Sequence, residues 1–195
     1  MKFTVLVLFV TLAVAAPAKR ATCNLEEIGS FIVAASGDNN LRWDRFTAEV
    51  GNIAKDDIAW VRSGDGNHEV FSATERSQPD YFSFSALSLN GPTSSIGVVN
   101  NKLNANPPPT ALGVFQVECS ACNPTQPIAA QACFFRLTDE IAPVAGGLTN
   151  QCVALTGEGS SVGVLECDSG NRAQAFDLFR TGPPSEPITT KVAQL

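Results

Sequence analysis

The sequence predicts an all-β domain stapled by disulfide bonds. Short apolar or alternating runs fill the chain, and Gly, Pro, Asn and Ser separate them, which is typical of strands joined by turns. Helical periodicity is nearly absent. Six cysteines, all of them beyond residue 22, indicate three disulfides in an exported chain.

Residues 1–18 are predicted to be a secretory signal peptide. Lys2 gives a basic start, an apolar run follows over 3–16, and small residues end it. At ~1.5 Å per residue the run covers about 21 Å, less than the ~30 Å of a hydrocarbon core. Lys19-Arg20 resembles the dibasic processing site of fungal secretory precursors, so the mature chain is expected to begin at Ala21.

The rest of the chain is expected to form one domain over 21–180. A flexible tail is expected over 181–195, because this segment holds three prolines and few large apolar groups. Without the predicted leader and the dibasic pair, 10 basic residues stand against 19 acidic ones. This balance argues against nucleic acid and membranes as partners, since phosphate binding needs clustered Lys and Arg. We expect an extracellular monomer.

Ten runs are predicted to be strands. Between 40 and 57 the apolar spacing instead suggests a short helix on a loop. Trp60 lies in a predicted strand and is expected in the core, whereas Trp43, flanked by charged residues on the loop, is expected to be exposed. The predicted strands are 31–35, 58–62, 70–74, 81–87, 96–99, 113–119, 133–137, 151–155, 162–167 and 175–180.

The cysteines are interpreted as structural, although six of them allow 15 pairings. A zinc site at Cys119-x-x-Cys122 is disfavoured because the chain has a single histidine, His68. A redox dithiol would need a βαβ setting, which the pattern does not indicate. The six are Cys23, Cys119, Cys122, Cys133, Cys152 and Cys167.

A unit of roughly 45 to 50 residues is predicted to occur three times. WVRSGDG from Trp60 resembles VALTGEG from Val153, and a predicted strand follows each, at Val70 and at Val164. In the middle of the chain, 113–119 resembles 163–167. Three imperfect repeats of four short strands predict a β-trefoil-like barrel capped by hairpins, whose closure removes open sheet edges.

Three segments near the C-terminus carry a family resemblance. NQCVAL from Asn150, GVLEC from Gly163 and NRAQAF from Asn171 resemble one repeat of the ricin B-type lectins, with its Cys-bearing strand, second Cys and Gln-x-Trp element. The resemblance, best over 150–180, implies a β-trefoil, a Cys152–Cys167 disulfide, Phe176 in place of the tryptophan, and carbohydrate binding. The positions where such lectins hold sugar with Asp, an aromatic residue and Asn fall on apolar side chains here, namely Ala154, Leu165 and Ala173.

Few residues are candidates for ligand binding. The most polar cluster is 63–69, where alternating oxygens could face Ca²⁺; however, the twelve-residue calcium-loop pattern is absent, and a β-turn is the preferred interpretation. No metal site and no cofactor are predicted. The candidate ligand-binding residues are Trp43, Asp65, Asn67 and Asn171.

We therefore expect a secreted, non-enzymatic binding protein with lectin-like recognition of glycans or cell-wall polysaccharide. The alternative is a secreted protein-binding effector or protease inhibitor, acting through the proline-rich loop over 100–109. A hydrolase is the least favoured class, because no Ser or Cys lies in a nucleophile motif. The adjacent carboxylates Asp56 and Asp57 are interpreted as solvated loop charge.

Overall fold

The computed structural model describes residues 21–62, 70–76, 78–87, 93–139 and 147–181. The predicted signal peptide, the polar cluster at 63–69 and all but the first residue of the predicted tail lie outside these ranges. No helix within them is long and apolar enough to cross a membrane. They comprise one helical turn, α1 (Leu25–Ile28), two 3₁₀ turns (Pro109–Ala111 and Arg172–Gln174), and fifteen strands: β1 Ala21–Thr22, β2 Ser30–Ala35, β3 Asp38–Arg45, β4 Ile58–Arg62, β5 Val70–Glu75, β6 Tyr81–Leu87, β7 Ser94–Ser95, β8 Gly97–Val99, β9 Lys102–Asn104, β10 Val114–Cys119, β11 Ala121–Cys122, β12 Ile128–Thr138, β13 Leu148–Ala154, β14 Gly163–Glu166 and β15 Phe176–Arg180.

Six of these strands close into an antiparallel barrel. Around the barrel the order is β2, β5, β6, β10, β12 and β15, and β15 pairs again with β2. Side chains alternate between the interior and the outer wall. In β10, for example, Phe115 and Val117 are buried in the core, whereas Gln116 and Glu118 are half-buried on the outer wall.

Three hairpins outside the barrel contact one another. They are β3–β4, β8–β9 and β13–β14. The Val162 N–H donates to the Ile58 carbonyl at 2.7 Å, which joins the third hairpin to the first. The Leu103 N–H donates to the Val162 carbonyl at 2.9 Å, which joins the second hairpin to the third.

Asp57 links all three hairpins through its side chain. It is 5% exposed and accepts from the Ser161 hydroxyl at 2.8 Å and from the Asn104 amide at 3.4 Å. The Lys102 ammonium lies 3.7 Å away. The expectation that Asp56 and Asp57 are solvated is therefore wrong, because Asp56 also pairs with Arg45 at 2.7 Å.

An exposed ion-pair cluster lies on the surface of the hairpins. The Arg62 Nε–H donates to Glu158 at 3.0 Å, and Asp38 lies 3.5 Å from the same guanidinium. The hydrogen bond and the negative charge of Glu158 raise the pKa of Arg62.

Aromatic side chains fill the centre of the barrel. Trp43 lies directly opposite Trp60 in the β3–β4 pair, and both are buried, at 1% and 0% exposure. The expected core position of Trp60 is confirmed. Two predictions are wrong: Trp43 is not exposed, and no short helix forms from residue 40. The polar run at 38–45 is instead a strand, β3, and its alternation turns Leu41 and Trp43 inward.

Three disulfides link the described cysteines. Cys152 pairs with Cys167, as the resemblance implied, and so joins β13 to the segment after β14. Cys119 pairs with Cys133 between two barrel strands, and Cys23 pairs with Cys122. No described cysteine is free.

Most predicted strands are present, and two of them, β4 and β6, have the predicted bounds. The residue matches behind the repeat prediction do not join equivalent strands. Val70 begins β5, a barrel strand, whereas Val164 lies in β14, outside the barrel. Short apolar runs after Gly-containing turns look alike in sequence wherever they lie in a sheet.

Candidate functional site

The structure does not bring the predicted ligand-binding residues together. Asp65 and Asn67 lie outside the described residues. Trp43 is enclosed by other rings in the core and is closed to a ligand. Asn171 caps the second 3₁₀ turn, where its side chain accepts from the Ala173 N–H at 3.0 Å. A capping role in the fold accounts for Asn171.

Gln174, in the Gln-x-Phe element, also has a structural role. It is 1% exposed. Its amide N–H donates to the Glu166 carbonyl at 2.7 Å, and its oxygen accepts from the Asp168 N–H at 2.9 Å. These two bonds satisfy a buried amide and hold the end of β14 against the 3₁₀ turn.

The three positions at which the resemblance implied a sugar site, Ala154, Leu165 and Ala173, carry no polar side chain. Ala154 is fully buried, and the Leu155 N–H donates to the Ala173 carbonyl at 2.7 Å. Leu165 is 48% exposed. None of the three side chains can form a hydrogen bond with a hydroxyl group.

A polar pocket of about 240 Å³ lies on the outer wall of the barrel. We call it the wall pocket. Two barrel strands and the base of the β13–β14 hairpin supply its lining: Gln116, Glu118, Phe134, Arg136, Asn150, Cys152, Cys167 and Ser169.

Strand register brings the wall-pocket residues together. Gln116 of β10 is directly opposite Arg136 of β12, and Arg136 is directly opposite Cys152 of β13. Two residue pairs further along, and so on the same face, Glu118 is opposite Phe134. Directly opposite residues in antiparallel strands share one face of the sheet, so three neighbouring strands present these groups side by side.

The central polar groups of the wall pocket have no partner in the described part of the chain. Among the described residues, the side chains of Gln116, Glu118 and Arg136 form no hydrogen bond, and neither charge is in an ion pair. All three are half-buried. Arg45, in contrast, donates to Asp56 and Ser94. Partly desolvated polar groups without protein partners are available to a ligand.

A second, larger cavity of about 760 Å³ lies among the hairpins, and we call it the hairpin groove. Its apolar lining includes Val50 and Leu165, which are 55% and 48% exposed. The turn between β8 and β9 contributes Asn100 and Asn101, both with positive φ (51° and 58°). Asparagine tolerates this left-handed conformation better than most residues. The groove therefore has an amide rim and apolar walls.

Sequence reasoning missed the wall pocket. The strands at 113–119 and 133–137 are both predicted, and Gln116, Glu118 and Arg136 alternate with apolar residues in them. That alternation marks an outer face. Only the pairing register, however, reveals that the three side chains lie next to one another.

Comparisons with protein-family models, with curated proteins and with solved structures found no match. Within the described residues, no group of three or more His, Cys, Asp or Glu side chains is arranged to hold a metal ion.

Proposed function

We propose that this chain is a secreted, non-enzymatic binding protein of β-trefoil architecture that recognises glycans in the wall pocket. Export is supported by the apolar leader and by the three disulfides, which persist in oxidising compartments.

The strand order supports the β-trefoil. Along the chain, a barrel strand, a two-stranded hairpin and a second barrel strand follow one another three times. The first unit runs from β2 to β5, the second from β6 to β10 and the third from β12 to β15. Three hairpins in mutual contact beside a six-stranded barrel are the arrangement expected of this architecture.

Glycan binding is supported chiefly by the three unpaired polar groups of the wall pocket. Arg136 supplies N–H donors, Glu118 supplies acceptors, and Gln116 supplies both, which suits the paired donor and acceptor character of sugar hydroxyls. Phe134, which is 8% exposed, and the half-buried Cys167 add a small apolar surface for the C–H face of a sugar ring. The groups lie on strands, which hold a site more rigidly than loops do.

A glycan array and insoluble cell-wall polysaccharides, probed with the secreted, oxidised protein, test this function. We expect specific binding that falls about tenfold or more in Arg136→Met, because several charge-assisted hydrogen bonds are lost. Arg172→Met is the matched control, since Arg172 is exposed and lies outside the wall pocket. A folded protein that binds no glycan, or equal loss in both variants, would count against the wall pocket.

A protein-binding role remains the second candidate, and the rigidity of the proline-rich segment favours it. Leu103 and Ala105 are buried, so the segment over 100–109 does not project as a whole. The part after Ala105 is fixed: the Ala105 N–H donates to the Asp56 carbonyl at 2.7 Å, and the Gly113 N–H donates to the Ile96 carbonyl at 3.1 Å. Its prolines at 108 and 109 are exposed. A rigid exposed loop loses little entropy on binding.

Inhibition of secreted serine, cysteine and aspartic proteases tests this second candidate. Inhibition that weakens when Pro108 and Pro109 are both replaced by Gly would support a loop-driven inhibitor. If the protein inhibits none of these proteases, the hypothesis that it is a protease inhibitor is rejected.

A further inference from the structure

One face of the β13–β14 hairpin runs from the wall pocket to the hairpin groove. Cys152 is directly opposite Leu165, and the next pair on the same face is Ala154 with Gly163. On the other side of the Cys152 pair, the Cys167 N–H donates to the carbonyl of Asn150 at 3.1 Å. Because alternate residue pairs share a face, these three pairs lie on one face of the hairpin, where Cys152 and Ala154 are buried and the exposed Leu165 and half-buried Cys167 are accessible to a ligand.

This surface is the outer face of the hairpin. Val153 and Val164, which alternate with its residues, are 1% and 3% exposed and belong to the core. Leu165 is 48% exposed. The Leu165 side chain therefore faces solvent on the same side as the Cys152–Cys167 disulfide.

Directly opposite residues of this hairpin line the two cavities. Cys152 lines the wall pocket, and Leu165 lines the hairpin groove. From Cys167, which lines the wall pocket, to Gly163, which lines the hairpin groove, the chain rises about 13 Å, at ~3.3 Å per residue. That distance is longer than one pyranose ring, so a single sugar cannot contact both ends of the surface.

The hairpin groove offers the same kind of chemistry as the wall pocket. Among the described residues, the side chains of Asn52, Asn100, Asn101 and Ser160 have no hydrogen-bond partner. Amides and hydroxyls can bond to sugar hydroxyls, and the exposed Leu165 can pack against the C–H face of a sugar ring. The groove can thus hold further sugar units of a chain whose first unit lies in the wall pocket.

The charges favour a neutral ligand. The lysine that lines the groove, Lys102, has its ammonium 3.7 Å from the Asp57 carboxylate. In the wall pocket, Glu118 accompanies Arg136 and offsets its charge. The whole chain has a formal net charge of −6, which repels anionic polymers.

We propose that the ligand is a neutral, linear glycan that lies along the outer face of the β13–β14 hairpin, from the wall pocket across Leu165 into the hairpin groove. This inference rests on the proposed glycan-binding function and adds the class of glycan. It distinguishes recognition of a polysaccharide chain from recognition of a terminal sugar.

Binding as a function of chain length tests the inference. Neutral oligosaccharides of the β-glucan, chitin and mannan types, each from the monosaccharide to the hexasaccharide, are titrated into the full secreted protein and followed by NMR, which also measures weak binding. We expect affinity to rise with length by about tenfold or more before it levels off, since each added unit contributes contacts at no further cost in rigid-body entropy.

Leu165→Asp and its matched control, Leu148→Asp, test where the bound oligosaccharide lies on the protein. Both leucines are exposed on β13–β14, at 48% and 45%, but Leu148 lines neither cavity. We expect Leu165→Asp to lower affinity for the hexasaccharide by about tenfold while leaving that for the monosaccharide unchanged, because only the longer ligand reaches Leu165. Leu148→Asp should change neither affinity.

The outcomes separate this inference from the function on which it rests. Affinity that depends on Arg136 but not on chain length would overturn the linear-chain inference and leave glycan binding in the wall pocket intact. If affinity rises with oligosaccharide length but Leu165→Asp does not alter that rise, the inference is also overturned, because the oligosaccharide would then lie elsewhere on the protein. If no oligosaccharide of any length binds to the folded protein, glycan binding itself fails.

Discussion

At the scale of single residues, Trp43 is buried in the core, whereas Arg136 is half-buried on the barrel wall. Trp43 packs against Trp60, Phe71, Phe135 and Phe176, with ring centroids 5.6 to 6.0 Å apart. Trp43→Ala should lower the free energy of unfolding by about 3–5 kcal/mol, because it leaves a cavity in the aromatic core. Urea denaturation of the oxidised protein measures this, and a loss under about 1 kcal/mol would contradict the buried position.

Arg136→Met should leave stability within about 0.5 kcal/mol, because Arg136 has no partner among the described residues and lies on the barrel wall. The same denaturation experiment checks this. A large loss of stability would mean that Arg136 holds the fold together, and reduced glycan binding by that variant would no longer point to the wall pocket.

At the scale of elements, Asp57 joins the three hairpins. Asp57→Ala removes an acceptor from the Ser161 hydroxyl and from the Ala54 N–H, at 2.8 and 3.2 Å. Loss of hydrogen bonds to a buried charge should cost about 1.5–3 kcal/mol of unfolding free energy. The control is Asp38→Ala, which removes an exposed ion pair and an exposed hydrogen bond from the Asn40 N–H, and should cost less than about 1 kcal/mol. Equal effects in thermal unfolding would refute the proposed role of Asp57.

The elements themselves were largely predictable from sequence. Alternation of apolar and polar residues yields β4 and β6 with the bounds found in the structure. β3 was missed because it begins with Asp38, Asn39 and Asn40, and Asp and Asn are uncommon in strands. Pairing with β4 overrides that local preference. The segment over 100–109 was interpreted as a loop, but its first part belongs to the β8–β9 hairpin, which places Leu103 in the core.

At the scale of the whole molecule, two disulfides allow a test that separates stability from binding. Cys152–Cys167 and Cys119–Cys133 close loops of nearly equal length, with separations of 15 and 14 residues, but only the first pair lines the wall pocket. Replacing either pair by Ser should cost about 3 kcal/mol of unfolding free energy. Glycan binding by the folded variants should weaken only for the Cys152 and Cys167 replacement. Equal binding by both variants would contradict the location of the site.

The wall pocket was not predictable from sequence, because distant parts of the chain build it. Gln116, Arg136 and Asn150 belong to three different strands, and only long-range register makes them neighbours. Residue types alone instead predicted a ligand-binding role for Trp43, because charged residues flank it in the sequence. That local signal was misleading, since strand alternation sends the ring inward and the charges outward.

A ¹⁵N NMR titration with the tightest-binding oligosaccharide tests glycan binding in the wall pocket most directly. The Arg136 Nε–H and the Gln116 side-chain amide should shift on binding, because both line the wall pocket and lack protein partners among the described residues. The Trp43 and Trp60 indole signals should stay in place, because both rings are buried in the core. Shifts confined to the loop over 105–112, or no shifts in the folded protein, would contradict the account.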